Sequence, residues 1–257
     1  MAFLARILVY PIKSLDAWDL TQASVLPSGA LEYDRRLAFV DADGKFVNAK
    51  RTPLIHGLRS ELNAPQRRLT LEVAGQRRAF HLDDDRKQLE AWLSDYFSLA
   101  VTLVENPEGG FPDDPDAPGP TVISTATLET VAGWFPGMSL DEARRRFRAN
   151  LEIDGVEPFW EDRLYAQKDE TVHFRVGDVT FAGSNPCQRC VVPSRDSFDG
   201  SVWPEFSKTV ARRREESLPA WAERSRFNHF YRLAVNTRPH GAGGEIRVGD
   251  AVILDAR

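Results

Sequence analysis

The chain has 257 residues, of which 42% are hydrophobic and 28% charged, and its net charge is -5. This length allows one large domain or two modest ones, with a core that needs no disulfides. The negative charge excludes a general attraction for nucleic acid. Pro11 and Lys13 interrupt the N-terminal apolar run, and no later segment is long enough to span a membrane. We therefore expect a cytoplasmic protein without a nucleic-acid or membrane partner.

The first hundred residues have the pattern of successive strands followed by one helix. β-branched and aromatic residues alternate around turn signals at residues 43–44 and 74–75, which is typical of hairpins. Within residues 84–97, apolar side chains recur at helical spacing, from Leu89 to Phe97. This stretch predicts an amphipathic helix.

Residues 106–120, NPEGGFPDDPDAPGP, give the strongest loop signal of the chain. Proline blocks helix continuation and removes a sheet donor, while the acids stay solvated. We therefore divide the chain into an N-terminal domain at 1–105, a loop or linker at 106–120 and a C-terminal domain at 121–257.

Two helices are expected at the start of the C-terminal domain. Ser124 or Thr125 would begin the first, after a short strand. Ser139 and Glu142 form a candidate capping box for the second, which should end near Asn150. The basic run at residues 144–148 is expected to lie on a helix surface.

The last part of the chain returns to strands. The sequence Arg-Val-Gly-Asp occurs at residues 175–178 and again at 247–250, each time followed by alternating apolar residues. Both copies predict a strand, a Gly-Asp turn and a second strand. Strands with few helices between them favour β-barrel-like domains over a doubly wound fold. The expected fold class is mixed α+β and mainly β.

Both cysteines of the chain lie in the stretch SNPCQRCVVPSRD, as Cys187 and Cys190. A structural zinc site is not favoured, because there is no second cysteine pair or spaced histidine pair. Two buried thiols in a strand remain one interpretation. Arg189 would favour a thiolate at Cys190, the form that ligates a soft metal or attacks a sulfur donor. The residues after Cys190 favour a strand over a helix.

Several segments, taken in order, resemble the MOSC-domain family, named for the C-terminal domain of molybdenum cofactor sulfurase. VYPIKSL and RRLAFVDADGKFVNAKRTP are similar to the MOSC N-terminal barrel domain. FRANLEIDG, PFWEDRL, VGDVTFAG, NPCQRCVVPSRDSFDG and IRVGDAVIL are similar to the MOSC domain. The resemblance implies an N-terminal β-barrel-like domain and a MOSC β-barrel domain with a few peripheral helices.

The resemblance also implies a cofactor and its ligands. Its functional analogues, the mitochondrial amidoxime-reducing component and bacterial reductases of N-hydroxylated compounds, hold molybdenum through a pterin and one protein cysteine. By motif position that cysteine is Cys190, and the cofactor is Mo-molybdopterin. The residues expected to contact the cofactor are Lys13, Ser14, Arg36, Arg148, Asn150 and Arg189, with Ser124 and Thr125 as weaker candidates. Asp196 is a candidate proton donor, although a turn residue is the commoner role. Pyridoxal phosphate binding is a further expectation at family level.

The resemblance implies that the protein is an oxidoreductase, which would reduce N-hydroxylated small molecules by oxygen-atom transfer. The chain has no further cysteines for an iron–sulfur cluster. Electrons would therefore come from a separate protein of ferredoxin, flavoprotein or cytochrome type. After the cysteine these reductases tend to carry threonines and an Asp-Pro, where this chain has Pro193, Ser194, Arg195 and Asp196. Pro193 and Arg195 could reshape the substrate pocket, so the substrates of these reductases are not expected to apply to this chain.

Two other interpretations remain open. In a sulfur-carrier or cofactor-delivery protein, Cys190 would accept a persulfide or hold the molybdenum cofactor for transfer. In a barrel-type binding module, both cysteines would be buried and without a chemical role.

Overall fold

A computed structural model of the chain describes residues 1–255. Its helices are α1 Arg86–Phe97, α2 Thr125–Ala132, α3 Leu140–Phe147 and α4 Phe206–Glu216. Its strands are β1 Phe3–Val9, β2 Trp18–Leu20, β3 Gln22–Val25, β4 Leu37–Val40, β5 Arg59–Asn63, β6 Arg68–Val73, β7 Gln76–His81, β8 Thr102–Glu105, β9 Val122–Ser124, β10 Leu151–Asp154, β11 Val172–Val176, β12 Val179–Gln188, β13 Arg232–Pro239, β14 Gly244–Arg247 and β15 Val252–Leu254. Short 3-10 turns lie at Pro53–Gly57, Trp160–Leu164, Val192–Ser194 and Arg224–Arg226.

The largest sheet has eight strands in the order β15-β11-β12-β13-β9-β10-β1-β2. β15 at one end also meets β1, the strand next to the other end: the Leu4 amide donates to the Asp250 carbonyl at 2.8 Å, and the Val252 amide donates to the Ala2 carbonyl at 3.0 Å. The sheet therefore closes on itself, which leaves few unpaired edges. Apolar side chains of these strands, such as Leu4, Ile7 and Phe174, are completely buried inside it.

A second core is built by residues of the N-terminal part. It includes the strand pair β4–β8, the meander β5–β6–β7 and helix α1. The predicted hairpin at residues 74–75 is confirmed as the β6–β7 turn, where both residues have positive φ. The predicted amphipathic helix is confirmed as α1, which buries Leu89, Leu93 and Phe97.

The helices of the C-terminal part pack against the outside of the closed sheet in a third core. Ser124 caps α2 by accepting from the Thr127 amide, and Ser139 caps α3 by accepting from the Glu142 amide. The expected capping box is incomplete, because Glu142 instead accepts from Arg145, Arg146 and Ser197. That carboxylate thus ties α3 to the segment that follows the cysteines.

The N-terminal and C-terminal parts share hydrogen-bonded strands. β1 pairs with β10, and β3 pairs with β14. Residues 106–120 contain no helix or strand, as the loop prediction requires. Mixed α+β structure, mainly sheet, is therefore confirmed, while the domain boundaries at 105 and 121 stay a prediction. In the part of the chain that the structure describes, no helix is both long and apolar enough to cross a membrane.

Candidate active site

A cavity of about 850 Å³ contains both cysteines in its wall. One side is formed by the end of β1 and the residues that follow it, and another by the Pro/Asp-rich loop. Residues of α3 and of the 185–197 segment complete the wall. The size suits a cofactor or a drug-sized ligand rather than a single ion.

Lys13 and Ser14 reach this cavity directly after β1. Lys13 is only 5% exposed, and its Nζ donates to the Phe111 carbonyl at 2.8 Å and to Asp113 Oδ1 at 2.6 Å. Burial lowers the pKa of Lys13, an effect that Asp113 opposes. Desolvation would raise the pKa of Asp113, but Lys13 and Lys50 outweigh it and hold that pKa well below its usual range. Asp113 is therefore an anion held among cations of the cavity wall.

Tyr10 supports two arginines beside this pair. The guanidinium of Arg148 lies 4.0 Å from the centre of the Tyr10 ring, and that of Arg35 lies 5.2 Å from it. Arg148 ends α3 with φ at 51° and donates to the Leu15 carbonyl at 2.7 Å. Asn150 also lines the cavity, but its amide oxygen already accepts from the Thr121 amide and hydroxyl. Arg148 thus keeps more of its donors for a ligand than Asn150 does.

Arg36 does not line this cavity, whereas Arg35 does. The Nε of Arg36 donates to Glu105 at 2.7 Å, beside a smaller pocket elsewhere on the chain. Arg35 lies in a turn with φ at 50°, and Arg36 follows it just before β4, so the two side chains leave the backbone in different directions. This segment thus contributes Arg35 to the cavity wall, and the cofactor contact of Arg36 stays a prediction.

Ser124 and Thr125 are also absent from the cavity wall. Ser124 is completely buried and shares a hydrogen bond with Thr127 as the cap of α2. Thr125 donates from its hydroxyl to Glu152 at 3.0 Å. The Ser124 hydroxyl thus caps α2, and the Thr125 hydroxyl links α2 to β10.

Cys187 and Cys190 are free thiols that are partly buried. Cys187 lies in β12, and its Sγ accepts from Arg189 Nη1 at 3.2 Å. Arg189 thus donates to Cys187 and also interacts with Cys190 through its charge, and its expected effect on a Cys190 thiolate stays a prediction. Burial would lower the pKa of Arg189, but Cys187 and Cys190 oppose this and help to raise it. The expected strand after Cys190 is wrong, because Val192–Ser194 forms a 3-10 turn in which Pro193 fixes the backbone.

Asp196 lies behind the cavity wall rather than in it. Its Oδ1 accepts from the amides of Phe198 and Asp199, and its Oδ2 accepts from Arg146 at 3.3 Å. These contacts fit a turn residue that positions Arg146. The proton-donor role of Asp196 stays a prediction.

The basic run of α3 is not a solvated surface, contrary to expectation. Arg146 is only 4% exposed, and Arg144 is bound by Glu152 in the sheet. Both line the cavity. Carboxylates balance the charges of both arginines. We therefore assign them a structural role in the cavity wall rather than the attraction of an anionic ligand.

Four other arginines of the cavity wall form no ion pair with a carboxylate among residues 1–255. They are Arg148, Arg189, Arg195 and Arg232. The Nε atoms of the last three are buried without a hydrogen-bond partner in the described residues. Buried donors of this kind are costly unless a ligand or water satisfies them. Free guanidinium donors beside two thiols fit a group that carries phosphate and binds a soft metal.

Several residues of the wall are missing from the sequence-based prediction. His56 and Arg59 approach the cysteine segment only through the tertiary fold, and Arg59 donates to the Ser197 carbonyl at 3.3 Å. No local signal marks His56.

Known proteins resemble this chain over most of its length. The sequence model of the MOSC N-terminal beta barrel domain matches residues 1–100, and that of the MOSC domain matches residues 121–253. Molybdenum cofactor sulfurase of Drosophila mojavensis is 28% identical over 244 residues, covering 81% of this chain and 30% of that protein. Molybdenum cofactor sulfurase of Danio rerio is 23% identical over 235 residues, covering 73% of this chain and 27% of that protein. The chain thus spans about 30% of the length of these relatives.

Solved structures give a weaker likeness. A crystal structure of a hypothetical protein aligns with a TM-score of 0.42 and 12% identity, covering 100% of this chain and 69% of that one. The YUAD protein from Bacillus subtilis aligns with a TM-score of 0.41 and 9% identity, covering 100% of this chain and 98% of that one. The family assignment rests on the sequence matches: this chain belongs to the MOSC domain family, with a MOSC N-terminal beta barrel domain ahead of its MOSC domain.

Proposed function

We propose that this protein binds molybdenum cofactor in the cysteine-lined cavity and reduces N-hydroxylated compounds there. The observation that carries the proposal is the pair of free thiols in one cavity with four arginines that no carboxylate of the described residues balances. The sulfurase relatives add support, because their name concerns the same cofactor.

Different residues of the cavity wall would bind different parts of the cofactor. Arg148, which has no ion pair among the described residues, would bind its phosphate, and Lys13 and Arg35 would join it where the phosphate replaces Asp113 and Asp34 as their partner. Cys190 would supply the thiolate ligand, and Arg189 would orient the neighbouring Cys187. The bound cofactor supplies the two-electron redox chemistry at the N–O bond.

The overall reaction breaks one N–O bond. The N-hydroxylated substrate takes up two electrons and two protons, and it gives water and the product in which hydrogen replaces the hydroxyl group on nitrogen. The electrons come from a separate redox protein of ferredoxin, flavoprotein or cytochrome type. The protein's part is to hold the N–O group inside the cavity and to exclude competing reactions.

Turnover tests this proposal directly. The protein is purified from a host that makes the cofactor and is mixed with benzamidoxime and a reduced viologen as chemical electron donor. We expect benzamidine to form in the wild type and not in Cys190→Ala, with Arg212→Gln on the exposed face of α4 as the control variant. Equal turnover in Cys190→Ala carrying its cofactor contradicts the role given to that thiolate.

A second candidate is a sulfur carrier, favoured by the free, partly buried thiol of Cys190 in the cavity wall and by the sulfurase relatives. The outer sulfur of a protein persulfide would move to the thiolate of Cys190, and the donor would leave as its own thiolate. Incubation with a cysteine desulfurase and free cysteine, followed by mass spectrometry, detects the added sulfur. Its absence from Cys190 under conditions that load a known acceptor contradicts this candidate.

A further inference from the structure

Arg195 is a cation of the cavity wall whose donors are only partly used. It follows the 3-10 turn Val192–Ser194, and its Nη1 donates to the Ala49 carbonyl. Its Nε is buried and has no acceptor among residues 1–255. A guanidinium in this state retains donors that match a carboxylate or a phosphate.

His56 lines the same cavity, and one of its ring nitrogens also lacks a hydrogen-bond partner among residues 1–255. Its side chain is 9% exposed, and its Nε2 is buried without a partner in the described part of the chain. Burial, together with the charges of Arg195, Arg148 and Arg59, lowers the pKa of His56 to about 4. His56 is therefore neutral at pH 7, and in the tautomer with its proton on Nε2 it is one more unused donor.

The carboxylates near these two residues are already engaged. Asp16 pairs with Arg59 at 3.1 Å, and Asp196 accepts from Arg146 at 3.3 Å and from two backbone amides. Asp199, whose charge also reaches His56, accepts from the Ser201 amide at 2.7 Å. None of the three forms an ion pair with Arg195. The cations that we assign to the cofactor, Lys13, Arg35 and Arg148, come from other segments of the wall.

We infer that Arg195 and His56 form an oxyanion subsite in the same cavity as Cys190, and that the substrate supplies the oxyanion. This inference rests on the proposed function. It narrows the substrate class to N-hydroxylated compounds that also carry a carboxylate or phosphate group. The alternative source of the oxyanion is the phosphate of the cofactor itself, and the experiment separates the two.

The first arm uses the cofactor-free chain and sodium benzoate as the probe. The chain has five histidines, so His56→Asn identifies the ring signals of His56 in a nitrogen-15 NMR spectrum. We expect benzoate to shift the His56 signals in a saturable way. Arg195→Gln should weaken this binding about tenfold, and Arg195→Lys less, because a lysine keeps the charge but loses the paired donors. Unmoved His56 signals, or equal binding by Arg195→Gln, overturn the subsite.

The second arm uses cofactor-loaded enzyme and a matched pair of substrates, benzamidoxime and 4-carboxybenzamidoxime. We expect the wild type to have a higher kcat/KM for 4-carboxybenzamidoxime than for benzamidoxime, mainly because the KM for the carboxylated compound is lower. In Arg195→Gln this preference should fall about tenfold, with molybdenum and pterin content at the wild-type level. The control Arg212→Gln removes an exposed arginine and should keep the preference.

The outcomes separate the inference from the proposed function. Reduction of benzamidoxime without a preference for the carboxylate overturns the inference and leaves the function standing. Loss of molybdenum and pterin from Arg195→Gln shows that the oxyanion belongs to the cofactor, which overturns the substrate assignment. If the loaded enzyme reduces neither compound, the proposed function fails, and with it the substrate assignment; the benzoate titration still decides whether an oxyanion subsite exists.

Discussion

Lys13 and Asp113 lie 100 residues apart in the chain, yet Lys13 Nζ donates to Asp113 Oδ1 at 2.6 Å in the cavity wall. Lys50 Nζ approaches the same oxygen at 3.5 Å. A carboxylate of the Pro/Asp-rich loop therefore occupies cations that an anionic ligand would also seek.

Asp113→Asn should destabilise the cofactor-free chain by about 1 kcal/mol, because buried Lys13 loses its counterion while the exposed carboxylate is partly screened by solvent. Pyrophosphate should then stabilise the variant more than the wild type. Thermal unfolding with and without pyrophosphate measures both effects. Asp116→Asn, an exposed change in the same loop, is the control. A variant that pyrophosphate stabilises no more than the wild type contradicts this account of the loop.

The neighbours Arg35 and Arg36 offer a matched test of the cavity wall. Arg35→Gln should weaken pyrophosphate binding to the cofactor-free chain about five- to tenfold, because it removes a cation and frees Asp34 to repel the ligand. Arg36→Gln should leave that affinity unchanged, since Arg36 pairs with Glu105 outside the cavity. Isothermal titration calorimetry gives both values. The reverse ranking of the two variants would restore Arg36 as the site residue.

His56 should make the stability of the chain depend on pH in the acid range. Its pKa falls from an ordinary value of 6.5 to about 4 on folding, chiefly through burial. Because the folded-state pKa is depressed, the stabilisation is complete above pH 6.5 and is lost as the pH falls towards 4. The loss amounts to roughly 3 kcal/mol at most. Urea unfolding of the wild type and His56→Gln between these pH values should show a flatter profile for the variant, whereas exposed His240→Gln should follow the wild type.

The ion pair between Arg214 and Asp162 fastens α4 to the turn Trp160–Leu164, with both side chains almost fully buried. Arg214→Met should cost about 3–5 kcal/mol in the free energy of unfolding, because it leaves the Asp162 carboxylate without its charge partner. The double variant Asp162→Asn with Arg214→Met should recover a good part of that loss. Arg212→Met in the same helix should change stability by about 0.5 kcal/mol or less. If Arg214→Met proves as mild as Arg212→Met in urea unfolding, the pair does not hold the helix.

Local signals predicted the elements of this fold well. The β6–β7 turn, the apolar stripe of α1 and the cap Ser124 each depend on neighbours within a few residues, so the sequence shows them. The use of Glu142 could not be predicted in the same way, because its partner Ser197 lies 55 residues away and competes with the backbone of α3.

The candidate site was predictable only in part. Lys13, Ser14, Arg148, Asn150, Arg189 and Cys190 line one cavity, and their contact with the cofactor stays a prediction from the family resemblance. Arg36, Ser124, Thr125 and Asp196 do not, because an ion pair with Glu105, a helix start or a turn holds their side chains elsewhere. The relation of His56 to Arg195 depends on the packing of two distant turns, which composition and spacing do not encode.

The most direct test of the central claim is the molybdenum and pterin content of protein purified from a host that makes the cofactor. The account predicts near-equimolar metal and pterin in the wild type and in Cys187→Ser, and loss of the metal in Cys190→Ser. Wild-type protein without either component, or Cys190→Ser with its full metal content, would contradict the assignment of Cys190 as the metal ligand of this cavity.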